Sequence, residues 1–281
     1  MAFSPITSYD LFFRQDNAKA IAWSKKLQAV IARKWPKLRR TDKKPDLLVV
    51  LGGDGAILQA AKLYPRGKTR ILGLNLGHVG FLASVRDEAQ FIKTLTEVLN
   101  NRYVPIPRMS ITATVLRQGK PLYHATALNE VVVEDMLGMV SLEIKVDEHP
   151  IQYIQGTGVL IATPTGSTAW NLSAHGPIVV PDLECCIITE LVDHNIPTPS
   201  VVVHPESLIS VRVQSFRARN LLTLPGGKDS VDVVIVTDGD RIFPLQKNDV
   251  VEIRKSPTPI VFASIEKNYF FKSIKEKIGF Q

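Results

Sequence analysis

The spacing of apolar and polar positions changes character once along this chain. Over the first hundred residues short apolar runs alternate with segments of helical spacing. Residues 9–13, 46–51 and 70–74 are compact apolar runs that read as strands. Residues 17–35 carry Ala20, Ile21, Trp23, Leu27 and Ile31 on one helical face. Residues 56–64, ending before Pro65, and 88–100 are two further helices. Strand–helix alternation predicts parallel strands joined by crossover helices, a Rossmann-like α/β domain. Ligands of such sheets gather beyond the carboxyl ends of the strands, where Asp54 and Asn75 both fall.

Beyond Pro105 and Pro107 the pattern becomes Val-, Ile- and Thr-rich runs at short intervals: 111–117, 123–134, 142–146, 158–163, 208–213, 231–237 and 250–255. That predicts an all-β, sandwich-like domain. The tail returns to helical spacing, with Phe270, Ile274 and Ile278 on one face, and is expected to pack back on the first domain. The expected division is 1–104 with about 265–281 for the α/β domain and 105–264 for the β-rich one.

Three segments carry candidate chemistry. Gly52-Gly53-Asp54-Gly55 ends an apolar strand and opens a helix. Glycines allow a ligand close to the backbone, and the amides of a helix start attract phosphate. A carboxylate repels phosphate, so Asp54 makes sense there as the acceptor of a proton from an attacking hydroxyl, or as a holder of the accompanying metal. An exposed Asp in a strand-to-helix turn is the plainer explanation of the turn by itself. Thr163-Pro164-Thr165-Gly166-Ser167-Thr168-Ala169-Trp170 places four hydroxyls within six residues after a strand. Such a run can cap a helix and bond a polar ligand, with Trp170 stacking on a base, or it can be a capped turn with a core tryptophan. Asn129-Glu130 breaks an apolar strand pattern; an adjacent amide and carboxylate can grip vicinal ribose hydroxyls, and a solvated break in a strand explains the pair by itself equally well.

Composition narrows the setting. With 281 residues, 45% hydrophobic and 22% charged, the chain suits one large or two ordinary soluble domains. No apolar run nears the roughly 20 residues that span a bilayer, so no membrane partner is expected. The first residues lack the order of a secretory signal, and the adjacent Cys185 and Cys186 read as buried thiols, so a cytoplasmic setting is expected. The net charge of +7 is concentrated in Arg33, Lys34, Lys37, Arg39, Arg40, Lys43 and Lys44, opposed only by Asp42. This is a solvated helix end and loop, or a field that draws in polyphosphate ligands. The single aromatic, Trp35, and the lack of any reading motif argue against nucleic acid.

Taken in order, these segments resemble the NAD kinase family. The matching elements are Gly52-Gly53-Asp54-Gly55, then Gly73-Leu74-Asn75-Leu76-Gly77-His78-Val79-Gly80-Phe81-Leu82, then Asn129-Glu130 and the threonine-rich motif. Ser173-Ala174-His175-Gly176-Pro177, Thr237-Asp238-Gly239 and a closing helix at Asn268-Tyr269-Phe270 follow. The resemblance implies transfer of the terminal phosphoryl group of ATP, or in some members polyphosphate, to the 2′-hydroxyl of the adenosine ribose of NAD, giving NADP. It implies Asp54 as general base and Gly52, Gly53 and Gly55 as a phosphate loop working with Mg²⁺. It further implies that Asn75, Asn129, Glu130, Thr157, Thr165, Thr168, Ala169, Trp170, Ser173 and Asp240 line the nucleotide sites, in a homodimer or homotetramer. No Walker A motif is present, so magnesium and the turn amides would neutralise the phosphates.

The chain departs from the family pattern mainly on the acceptor side. Arg-x-Asp-Gly becomes Gln155-Gly156-Thr157-Gly158, a common Gly becomes His175, Asp-Gly-Gln becomes Asp238-Gly239-Asp240, and the usual Tyr and Thr become Trp170 and Ala56. These changes keep open a same-fold kinase with a shifted acceptor (NADH, another nucleoside, a lipid) or a non-catalytic NAD(H)-binding regulator. For His175 the sharper expectation is a pH-sensitive contact with the acceptor.

Overall fold

The computed structural model describes residues 4–64, 67–77, 80–83, 85–194, 198–224, 230–265 and 269–279. Pro65, His78, Val79, Asn268 and the 225–229 part of the 216–230 connection, all singled out in the sequence, lie outside the described residues. The chain forms two compact units, 1–108 with 258–281, and 109–257.

The first unit runs β1 (Ser8–Phe13), α1 (Ala18–Lys34), β2 (Arg39–Arg40), β3 (Leu47–Leu51), α2 (Asp54–Leu63), β4 (Arg70–Leu74), α3 (Phe91–Leu99) and β5 (Val104–Arg108). The second contains β6 (Ile111–Arg117), β7 (Lys120–Ala127), β8 (Glu130–Asp135), β9 (Val140–Val146), β10 (His149–Gly156), β11 (Gly158–Ala162) and the short α4 (Trp170–Ser173). It continues with β12 (Cys186–Leu191), β13 (Val201–Val203), β14 (Ile209–Phe216), β15 (Val233–Thr237), β16 (Arg241–Leu245) and β17 (Val250–Lys255). The chain then returns to the first unit with β18 (Ile260–Ser264) and α5 (Tyr269–Ile278).

The first unit is built on one sheet of order β2-β1-β3-β4-β18-β5. β1, β3 and β4 are parallel, with Leu51 beside Leu74, so the carboxyl ends of β3 and β4 open on the same edge. α1 starts at Asn17, whose side chain accepts from the Ala20 amide at 3.0 Å. It buries Ala20, Leu27 and Ile31 against Leu47, Val49, Phe91 and Leu95. The apolar runs of β3 and β4 are continuous because both strands are wholly buried. The basic stretch after α1 stays exposed at Arg39, Arg40, Lys43 and Lys44, and Arg40 pairs with Asp10 at 3.1 Å.

The second unit is a sandwich of two six-stranded sheets, β10-β9-β14-β17-β6-β7 and β13-β12-β11-β8-β15-β16. Ile111, Ala113, Val115, Ile144, Val211 and Ile253 from one sheet meet Val131, Val133, Val159, Ile161 and Ile235 from the other in a common core. The outer face of the second sheet is also covered. Val132, Leu160, Val234 and Val236 pack against Val179, Trp170 and Ala174, which explains why β8, β11 and β15 lack a polar alternate. Cys185 and Cys186 are buried as expected, and burial pushes the Cys186 thiol up to about 12.

Two expectations need correction. Strands β5 and β18, assigned by sequence to the β-rich domain, belong to the first sheet: β18 pairs in parallel with β4 and antiparallel with β5. The run 123–134 is not one strand. β7 ends at Ala127 in one sheet and β8 starts at Glu130 in the other, so Leu128 and Asn129 are the crossing between layers. At the tail, Phe270 is buried and lies 6.1 Å from the Phe81 ring, which seats α5 within the first unit.

Candidate active site

In the first unit the chain leaves β3 through Gly52, whose amide donates to the Leu74 carbonyl at 3.0 Å, and enters α2 at Asp54. Gly53 stands at the N-cap and supplies no side-chain cap; the Ala56 amide donates to the Gly53 carbonyl at 3.0 Å, and among the described residues the Asp54 and Gly55 amides are left for an outside acceptor. Among the described residues, a Cβ at Gly53 or Gly55 would meet nothing within 4 Å. Packing therefore does not demand glycine at either position, whereas close approach of a ligand to the backbone does.

The Asp54 carboxylate turns back onto a short strap, 80–82. Its Oδ2 accepts from the Phe81 amide at 2.7 Å and its Oδ1 from the Leu82 amide at 3.1 Å. Gly80 makes this approach possible, since a Cβ there would stand 2.1 Å from Asp54 Oδ1. Asn75, beyond β4, is buried; its Oδ1 accepts from the Gly77 amide at 2.9 Å and its own amide donates to the Val85 carbonyl at 2.8 Å. Gly52, Gly53, Asp54, Gly55 and Asn75 thus share one edge of the sheet, with two backbone amides orienting the only carboxylate of the turn.

The second unit gathers another group at one end of its outer-covered sheet. Asp238, in the turn after β15, is the anchor. Its Oδ1 accepts from the amides of Asn129 at 2.7 Å and Glu130 at 3.2 Å, and its Oδ2 from Leu128 at 3.0 Å. The Thr163 hydroxyl donates to the Leu128 carbonyl at 2.6 Å and accepts from the Gly166 amide at 3.1 Å. A Cβ on Gly166 would lie 2.1 Å from the Asn129 carbonyl oxygen, so the threonine-rich loop rests directly on the crossing. Ser167 and Asn171 staple that loop from below. The Ser167 hydroxyl donates to the Pro164 carbonyl at 2.6 Å and accepts from the Val179 amide at 3.0 Å. Asn171 donates to the Pro177 carbonyl at 3.0 Å and accepts from the Thr189 hydroxyl at 2.8 Å.

Asn129, Glu130, Thr165 and Thr168 are therefore drawn together and buried, Ala169 and Trp170 are half-buried, and Ser173 and Asp240 are exposed at their margin. One side of Trp170 is committed to the apolar cluster, so it is a core residue as well as a candidate wall. Thr157 is elsewhere. It precedes β11 while Thr163 follows it, a separation of about 20 Å along an extended strand. Its hydroxyl donates to the Leu191 carbonyl at 2.8 Å. His175 is exposed and has φ +61°, a left-handed conformation that glycine adopts without cost. Sequence reasoning assigned no role to Asp238 or the strap amides, and it read Ser167 only as one hydroxyl of a capping or ligand-binding run and Asn171 only as part of the Thr168–Ser173 stretch that would enclose the nucleotide, not as staples of the loop. The Asp-Gly turn was a usable signal, because Asp tolerates the φ of +46° found at 238.

Among the described residues no group of three His, Cys, Asp or Glu side chains forms a metal site, and no helix is long and apolar enough to cross a membrane.

The family model for the ATP-NAD kinase N-terminal domain matches residues 11–103, and that for the ATP-NAD kinase C-terminal domain matches residues 128–265. An NAD kinase from Caldanaerobacter subterraneus subsp. tengcongensis is 32% identical over 237 residues, covering 84% of this chain and 79% of that protein. The crystal structure of yeast NADH kinase complexed with NADH superposes with a TM-score of 0.87 at 19% identity, over 99% of this chain and 89% of the other. That of an NAD kinase from Archaeoglobus fulgidus in complex with ATP gives 0.76 at 22% identity, over 95% and 98%. At such identities the two structural likenesses speak for the fold.

Proposed function

Since the chain belongs to the NAD kinase family, we propose that it phosphorylates NAD, moving the terminal phosphoryl group of ATP to the 2′-hydroxyl of the adenosine ribose with Asp54 as general base. The observation that carries this reading is the turn itself: one oriented carboxylate at the mouth of a helix whose Asp54 and Gly55 amides have no acceptor among the described residues, where a Cβ on Gly53 or Gly55 would meet none of those residues within 4 Å.

A ribose hydroxyl is a weak nucleophile at neutral pH. A carboxylate within hydrogen-bond reach removes its proton as the new O–P bond forms, a contribution of about 10²–10⁴ in rate. Each Asp54 oxygen spends one acceptor site on a strap amide and keeps another for that proton. The Asp54 and Gly55 amides hold phosphate oxygens in this reading. Mg²⁺ fits the donor set as a passenger on the triphosphate, because it binds through phosphates with one or two carboxylates and needs no protein cage. When bound it neutralises charge on the transferring group. Asn129 and Glu130, at the crossing fixed by Asp238, are the residues assigned to the acceptor ribose, and the Thr165–Thr168 loop to the surrounding nucleotide.

The test is NADP formation by the purified chain with ATP, Mg²⁺ and NAD, alongside a tube with NADH. Asp54→Asn is expected to cut turnover by about 10²-fold or more while leaving a folded, nucleotide-binding protein. Turnover near that of the native chain would remove Asp54 from the role of base, and NADPH formation without NADP formation would move the acceptor to NADH.

A further inference from the structure

A peptide group is rigid and planar, with its C=O and N–H pointing in opposite directions. The Gly80–Phe81 peptide is held at both ends. Its N–H donates to Asp54 Oδ2 at 2.7 Å, and its C=O accepts from Arg86 Nη2 at 3.1 Å. The same Arg86 nitrogen donates to the Ser273 hydroxyl at 2.6 Å, and Nη1 is paired with the Glu276 carboxylate. Ser273 and Glu276 are both on α5, and Arg86 is largely buried, with 18% of its side chain exposed. Beside it, the Phe81 ring packs against Phe270 of the same helix, with Lys277 Nζ 4.6 Å from its centroid.

From this geometry we propose that Arg86 is a positioning residue for Asp54, acting through the Gly80–Phe81 peptide plane and itself fixed by α5. The proposal rests on the reading of Asp54 as base. One guanidinium ties the strap carbonyl, a hydroxyl and a carboxylate from two nitrogens of a rigid planar fork, whereas an ammonium would have to reach all three from a single nitrogen on a flexible stem. Withdrawal of Arg86 frees the peptide to rotate, and the Phe81 amide then leaves the carboxylate. The C-terminal helix thereby acts at the chemical step without contributing a group that touches substrate.

The experiment compares Arg86→Ala, Arg86→Lys and Asp54→Asn in the full chain. It measures kcat, the KM values for ATP and NAD, and hydrogen exchange at the Phe81 and Leu82 amides. In Arg86→Ala, kcat is expected to fall about 10- to 100-fold with both KM values nearly unchanged, the signature of a displaced catalytic group. Exchange at Phe81 and Leu82 is expected to quicken by about tenfold or more while β3 and β4 stay protected. Arg86→Lys, with a charge for Glu276 but no planar fork, should lie between. Unchanged exchange at the two strap amides in either variant overturns the proposal, as does a loss carried by KM alone. If Arg86→Ala does not fold, Arg86→Lys is read by the same exchange criterion. A fully active Asp54→Asn would refute the base reading instead, while the exchange result still judges the clamp.

Discussion

Asp238 offers the sharpest stability test in the second unit. Its carboxylate takes three amides from Leu128, Asn129 and Glu130, and it is only 9% exposed. Hydrogen bonds to charged groups contribute about 1.5–3 kcal/mol each, and a buried amide stripped of its acceptor costs about 1–3 kcal/mol. Two of the three amides share Oδ1, so the sum is sub-additive, and Asp238→Ala is expected to cost about 3–5 kcal/mol. Alanine at φ +46° adds strain in the same direction. Asp238→Asn should cost less, about 1–2 kcal/mol, because its carbonyl oxygen can still serve Asn129 and Glu130 while its NH₂ faces the Leu128 amide, donor against donor. Against a typical domain stability of about 5–15 kcal/mol the alanine variant loses a large share. Urea unfolding reads both variants at constant slope, and calorimetry with NAD reads the survivor, since the freed segment carries Asn129. An Asp238→Ala chain as stable as the native one, or an asparagine variant worse than alanine, would refute the anchoring argument.

Four further outcomes follow from single contacts. Gly80→Ala drives a Cβ into Asp54 Oδ1 and is expected to lower kcat by about 100-fold with a small change in melting temperature; full activity would mean that the strap does not set the carboxylate. His175→Gly relieves a left-handed φ and should stabilise the chain by about 1 kcal/mol, or roughly 2–4 °C in Tm, while an altered KM for NAD would add the contact expected from sequence. Burial pushes the Asp46 carboxyl up, but the amides and hydroxyls of Thr7 and Ser8 outweigh it and hold it below the ordinary range. Its stabilisation is therefore complete above about pH 4 and fades as pH falls through the folded-state pKa, so Asp46→Asn should flatten the acid limb of urea midpoint against pH. Both thiols should stay unreactive toward a maleimide at pH 8 until the chain is unfolded, because burial raises each of them; rapid labelling of the native protein would contradict the packing around β12.

The strands most legible in the sequence are those buried on both faces or strictly alternating. β3, β4 and β15 announce themselves as apolar runs, and β6 buries Ile111, Ala113 and Val115 in turn. The strands that the pattern does not reveal are mostly edges. β2, β5, β10, β13 and β16 each terminate a sheet and pair on one side only. An edge strand satisfies half its backbone groups with water and tolerates proline where no N–H is needed. Pro105 and Pro107 in β5, Pro150 in β10 and Pro244 in β16 are of this kind, and in a linear reading each looks like a breaker. The two-arginine β2 carries no apolar residue at all. β12 and β18 are interior strands, and their apolar runs were readable by the same rule that finds β4.

The candidate site divides along a similar line, and the division bears on the departures from the family pattern. What the sequence can announce is a residue whose type is odd for its place: a carboxylate in a glycine turn, hydroxyls massed after a strand, Asn-Glu in an apolar run. What it cannot announce is a partner supplied across many residues, such as the Phe81 amide for Asp54 or Asp238 for Asn129, 27 and 109 positions away. Those contacts depend on the parallel pairing of β3 with β4 and the antiparallel pairing of β8 with β15, which no local pattern encodes. The departures then fall into different physical kinds. His175 occupies a backbone conformation that explains glycine elsewhere and makes the histidine a local strain at an exposed turn. Thr157 spends its hydroxyl on β12 at the far end of β11 from the Asn129–Thr163 cluster. Neither change disturbs the contacts that hold Asn129, Glu130 and the threonine-rich loop to Asp238. A changed acceptor preference would therefore have to arise from Trp170, from exposed margins such as Asp240, or from surfaces beyond this cluster, and substitutions there should move the KM for NAD while leaving the KM for ATP in place.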